Sequence, residues 1–121
     1  MTITPAKIDL PCCVSFDFQH EFDFEKIVEI AELMNSGEDF DPILVISDDS
    51  TNMYSILDGH HRARAAQLSR REIPAYVISG SQYEALVKAE FGGEYPEQIM
   101  DLDQYIVLPD GQSYSDVRDV D

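Results

Sequence analysis

Residues 54 to 65 read Tyr54-Ser55-Ile56-Leu57-Asp58-Gly59-His60-His61-Arg62-Ala63-Arg64-Ala65, and the change of pattern inside this stretch decides how the chain folds. Met53 to Leu57 is an apolar, strand-forming run. Gly59 breaks it, and Arg62 to Ser69 carries helix-favouring Ala, Arg, Gln and Leu, with Ala65, Ala66 and Leu68 available to pack on a sheet. The result is a strand-turn-helix junction. The first N–H groups of a helix have no intrahelical partners, so such a junction presents donors where an anion can sit. Glycine at position 59 allows close backbone approach, and the Arg62 guanidinium can grip two oxygens of one phosphate, with Arg64 close in sequence. His60 and His61 can donate to phosphate oxygens, relay a proton or ligate a metal. The plainer reading of the same residues stays open: polar histidines in a surface turn, Asp58 as a helix cap, and arginines that pair with acids.

Working outward, Pro42 opens the buried-strand run Ile43-Leu44-Val45-Ile46, and Ser47 to Asn52 is turn-rich. That connection is too short for a crossover helix, so the flanking strands form an antiparallel hairpin, with Met53 to Leu57 expected inside the sheet. Upstream, Ile27, Ile30, Ala31 and Met34 follow the three-four spacing of an amphipathic helix over Phe24 to Asn35, with Asp23 as cap and Gly37 past its end. Downstream, Ile73 to Ile78 reads as a strand, with Pro74 near its start. Ser81 to Glu84 reads as a capping box that starts a helix to about Phe91, ended by Gly92 and Gly93. Tyr105 to Leu108 reads as a further strand, Cys13 to Phe16 as a short one, and Asp116 to Asp121 as an acidic tail. The expected architecture is an α+β fold, a small mixed sheet with helices packed on it, in one domain over residues 1 to 121 with an acidic C-terminal extension from 95 to 121.

Composition narrows the function. With 121 residues, 44% of them apolar, the chain can bury one core. No run approaches a membrane span and no signal peptide is visible, which makes a cytoplasmic protein the expectation. Cys12 and Cys13 are adjacent, which suits neither a disulfide framework nor a zinc site, so they read as structural thiols. The 24 acidic residues against eight basic ones give a net charge of −16, which repels duplex DNA. Yet Arg62, Arg64, Arg70 and Arg71 fall within ten positions, one positive focus in a negative field, with Arg70 and Arg71 read as surface charge.

The order of these features resembles the ParB/sulfiredoxin superfamily over roughly residues 14 to 87. Its ParB-type box runs Gly-Glu-Arg-Arg-x-Arg-Ala, and Gly59, Arg62, Arg64 and Ala65 fall on matching positions, while His60 and His61 replace the Glu and the first Arg. The wording Asp-Gly-His-His-Arg is similar to that of stand-alone ParB-like nuclease-domain proteins. His61 and Arg62 also match the His-Arg of sulfiredoxin, but its reactive cysteine falls on His60, so sulfiredoxin activity is not expected. The charge, the absence of room for a helix-turn-helix domain and the lack of a dimerisation tail argue against DNA clamping.

The resemblance implies a nucleotide ligand (ATP, ADP or CTP) with Mg2+, its phosphates held by Asp58, Gly59, His60, His61, Arg62 and Arg64. Any catalysis would be phosphoryl transfer or nucleotide hydrolysis, with His60, His61, Glu29 or Glu32 as acid or base; Glu29 and Glu32 lie in the helix that carries the catalytic carboxylate of the related kinases. Arg62 is expected to be a clamp whose loss leaves folding nearly intact. Two other readings stand beside this one. The first is an acidic module that kept the fold and binds a basic protein surface or mimics nucleic acid. The second is a nuclease, although no carboxylates stand at a diagnostic metal-binding spacing.

Overall fold

The computed structural model describes residues 1–10, 23–51 and 53–117. The elements run β1 (Ala6–Leu10), α1 (Phe24–Asn35), β2 (Ile43–Ser47), β3 (Tyr54–Asp58), α2 (His60–Ser69), β4 (Ile73–Ser79), α3 (Gly80–Phe91) and a short α4 (Tyr114–Val117), with two 3-10 turns between α3 and α4. The four strands form a mixed sheet in the order β1-β4-β2-β3. β1 is antiparallel to β4, β4 parallel to β2, and β2 antiparallel to β3. The expected α+β class and the β2–β3 hairpin are both present. The strand carrying the turn, expected inside the sheet, stands instead at the end of it, because the parallel partner of β2 is β4.

Both sheet faces are covered, which explains the unbroken apolar run of β2. Alternation sends Ile43 and Val45 into one core with Ile27, Ile30 and Met34 of α1 and Ala63 and Ala66 of α2. Leu44 goes the other way, into a second core with Ile78, Tyr83, Leu86, Leu102, Ile106 and Tyr114. Each fully buried Leu or Ile contributes about 1.5–3 kcal/mol of transfer free energy. α1 matches its expected bounds, and its cap is Asp23, whose carboxylate accepts from the N–H groups of Glu25 and Lys26.

One irregularity positions the site. Val45 pairs with Ile56 but Leu44 pairs with Asp58, so β3 spends two residues, Leu57 and Asp58, against one of β2. In a regular strand Asp58 would share a face with Ile56, inside the α1/α2 core. The bulge turns it to the face of Leu44 and Tyr114.

Other details differ from the sequence reading for identifiable reasons. α2 begins at His60 rather than Arg62, since Gly59 alone makes the break. Leu68 is 55% exposed and leaves packing to the alanines. The cap of α3 is Ser79, whose hydroxyl accepts from the Gln82 N–H, while the Ser81 N–H and hydroxyl both donate to the Asp49 carboxylate. Tyr105 to Leu108 makes only isolated bridges, Ile3 to Ile106 and Val107 to Ser113, and no strand. β1 lies in a part of the chain where no strand was expected, and α4 occupies the start of the expected acidic tail. The reading of Cys13 to Phe16 falls outside the described residues.

Candidate functional site

Gly59 is required by backbone and by space. Its φ of 91° lies in the left-handed region, and a Cβ there would stand 2.5 Å from Cγ2 and 2.9 Å from Cβ of the buried Ile43, and 3.2 Å from Nη2 of Arg62. The space beside this glycine is therefore filled by protein, not left open for a ligand as the sequence suggested. α2 starts at once: the first intrahelical bond runs from the Ala63 N–H to the Gly59 carbonyl (2.9 Å). No side chain of the N-cap residue closes this helix end.

The start of α1 meets the start of α2. The backbone N–H of Asp23, the cap of α1, donates to Nε2 of His61 at 3.0 Å. His61 is buried at 6% exposure and joins the two helix ends. Because Nε2 accepts in this bond, it cannot also donate to a phosphate as expected from the sequence. The start of α2 thus lies beside the start of α1, whose Glu25 and Lys26 N–H groups are already taken by the Asp23 carboxylate.

Arg62 is also buried, at 5% exposure, and Nη1 donates to the Asp41 carbonyl at 2.8 Å. An arginine so placed ties α2 to the approach to β2, which argues against a fold-neutral substitution at this position. Its side chain borders a cavity of about 180 Å³ shared with Asp41, Tyr76, Asp110 and Tyr114. Burial, then the negative charges of Asp110 and Asp41, push the Tyr76 phenol above its ordinary value. His60, half-buried, borders a different cavity of about 550 Å³ with Ser55, Leu57, Tyr83 and Tyr95.

The Asp58 carboxylate, 7% exposed, accepts the hydroxyl of Tyr114 at 2.6 Å. Tyr114 carried no sequence signal, since it lies 56 positions away in a segment without periodicity. Arg64 is half-buried and hydrogen-bonds to Gln67 one turn on, while Arg70 and Arg71 are exposed. Glu29 and Glu32 border a surface groove with Phe24, Glu25 and Val28, and no residue of the turn shares it. The structure therefore brings Asp58, Gly59, His60, His61 and Arg62 together at one helix start and leaves the two glutamates apart. Among the described residues no group of three or more His, Cys, Asp or Glu side chains is placed to hold a metal ion, and no helix is long and apolar enough to cross a membrane.

The sequence profile of the ParB N-terminal domain matches residues 14–90. In fold, the chain is similar to the C-terminally truncated chromosome-partitioning protein ParB from Caulobacter crescentus complexed with CTP-gamma-S, at 18% identity and a TM-score of 0.52, covering 74% of this chain and 56% of that one. It is likewise similar to sulfiredoxin from Arabidopsis thaliana, at 25% identity and a TM-score of 0.51, covering 63% of this chain and 88% of that one. The chain thus spans little more than half of the solved ParB. No curated protein matches it in sequence.

Proposed function

The chain belongs to the ParB N-terminal domain family, and from that premise we propose that it binds a nucleotide through its phosphates at the start of α2. The observation that supports this reading is the strand-turn-helix junction at Gly59, where α2 begins directly after β3 with Arg62 in its first turn beside a cavity. The Caulobacter ParB of similar fold was solved with CTP-gamma-S, which supports a nucleotide over a bare phosphate.

In this reading the residues divide their work. Gly59 sets the backbone, and His61 holds the two helices in register through Asp23. The N–H groups of the first turn and the Arg62 guanidinium meet the phosphate oxygens. His60, on the side of the larger cavity, is the group placed to exchange a proton. Arg64 contributes positive potential more than contact, given its bond to Gln67.

Magnesium fits as a companion of the phosphates rather than as a resident of the protein. Mg2+ is commonly held by one or two carboxylates plus phosphate oxygens. Asp41 and Asp110 border the Arg62 cavity and would make it net negative toward a bare phosphate, a penalty that a divalent cation offsets. The site is read as a binding site; Glu29 and Glu32, off on another face, supply no base to it.

A thermal-shift panel of ATP, ADP, AMP and CTP, each with and without Mg2+, tests the reading. One nucleotide should raise the melting temperature more than inorganic sulfate at equal ionic strength, and more with Mg2+ than without. Shifts no larger than those from sulfate across the whole panel would contradict it.

A further inference from the structure

The segment that follows α3 lies beyond the matched family region, and with β3 it encloses the cavity of about 550 Å³. Small-molecule sites run from about 300 to 1,000 Å³ and are mostly apolar, with a few placed polar groups. This cavity has that make-up. Ile46, Leu57 and Leu102 give it apolar walls, and Tyr83 of α3 and Tyr95 add two aromatic rings. The rings lie within 29° of parallel with their centroids 6.0 Å apart. Tyr83 is 8% exposed and so set in the core, while Tyr95, 56% exposed, stands at the surface with its hydroxyl donating to the Glu84 carboxylate.

Charge narrows what the cavity can hold. The exposed Glu97 lines it, and a neighbouring cavity shares Ile46, Ser55 and Tyr83 with it and carries Asp48, Asp49 and Glu84. Among the described residues, no Lys or Arg lines either one. The face of an aromatic ring is itself negative, so the rings and the carboxylates together attract a cation and repel an anion.

We propose that this cavity is a binding site for a small aromatic cation, an amine carried on a planar ring, with the ring against the two tyrosines and the ammonium toward Glu97. The inference goes beyond the phosphate reading and stands or falls without it. It gives the segment after α3 a role of its own, since Tyr95 and Glu97 both come from there.

Phenethylamine, phenethyl alcohol and phenylacetate share one ring and differ mainly in charge. Each is titrated into the nitrogen-15-labelled full chain at about pH 8, where an ordinary histidine is neutral and the amine is still a cation. The amine should bind saturably, shift the amides of Tyr83, Tyr95 and Glu97, and bind about two- to fivefold tighter than the alcohol, the range of one exposed cation–π contact. Phenylacetate should be the weakest. Glu97→Lys should reverse the order of amine and carboxylate. Glu29→Lys, on the outer face of α1, adds the same charge elsewhere and should leave the order as it is. Both glutamates are exposed, so neither change disturbs the core. No saturable shift at these residues with any probe, phenylacetate as tight as the amine, an order that Glu97→Lys leaves unchanged, or the same reversal in both lysine variants would overturn the proposal. None of the probes carries a phosphate, so any of these results leaves the nucleotide reading standing, and failure of every nucleotide to bind leaves this inference standing.

Discussion

Replacing Gly59 by alanine tests the geometry from which the whole site is built, and Gly37 supplies the control. The two glycines have nearly the same φ, 91° and 90°, so the backbone penalty for an L side chain is nearly the same at both, about 1–2 kcal/mol. Only the surroundings differ. A Cβ at Gly37 meets nothing within 4 Å, whereas one at Gly59 would lie 2.5 Å from Cγ2 of Ile43. Ile43 is 0% exposed, pairs with Ala75 of β4 and lies in the packed core, so it has little room to retreat. Forcing extra volume into a packed core costs about 1–3 kcal/mol. The expected losses are therefore about 1–2 kcal/mol for Gly37→Ala and about 2–5 kcal/mol for Gly59→Ala, the latter a large part of the 5–15 kcal/mol typical of a domain. Urea titration of both variants with an unchanged m-value gives the comparison. Equal losses at the two positions, or a loss below about 0.5 kcal/mol at Gly59, would refute the close packing of the turn on Ile43.

Three further outcomes follow from particular contacts. Ser79→Ala should cost about 1 kcal/mol as the loss of a helix cap, and Ser81→Ala clearly less, as measured by chemical denaturation; the reverse order would restore the capping box expected at Ser81. Burial, then the negative potential of Tyr95 and Glu84, raises the Tyr83 phenol above its ordinary value. Its contribution to stability is therefore whole below pH about 10, the unfolded value, and is lost as pH rises through the higher folded value; Tyr83→Phe should flatten that alkaline decline in a pH series of melts. Finally, purified protein should not regenerate peroxiredoxin thiol from its sulfinic form, because the position of the reactive cysteine holds His60; regeneration in an assay free of other reductases would reverse that conclusion.

The sequence made α1 legible because its apolar positions repeat with the helical period and Asp23 and Gly37 mark its ends. The β2–β3 hairpin was legible because six polar residues cannot hold a crossover. The position of β3 at the end of the sheet was not, since it depends on the parallel pairing of β2 with β4, a contact between strands that no local pattern encodes. The turn was placed correctly within two residues, but the work of its side chains was only partly visible. Arg62 and His61 read as ligands because their types suit phosphate, and the sequence carries no mark that the Asp41 carbonyl and the Asp23 N–H claim one polar atom of each. Asp58 read as a helix cap or phosphate contact, and no residue type announces the bulge that brings it to Tyr114. In each case the missing information was a contact between segments 20 or more positions apart.

The central claim concerns where a phosphate sits, and a nitrogen-15 amide titration reads that directly, without a substitution that disturbs the buried Arg62. Labelled protein is titrated with Mg2+ and the nucleotide that gives the largest thermal shift. The account predicts that the amides of His60, His61, Arg62 and Asp23 move first and farthest, saturate together, and are followed by the Arg62 guanidinium signal, while those of Glu29 and Glu32 on the outer face of α1 stay still. Saturable shifts centred on α1's outer groove or on α3, with the first turn of α2 unmoved, would contradict it.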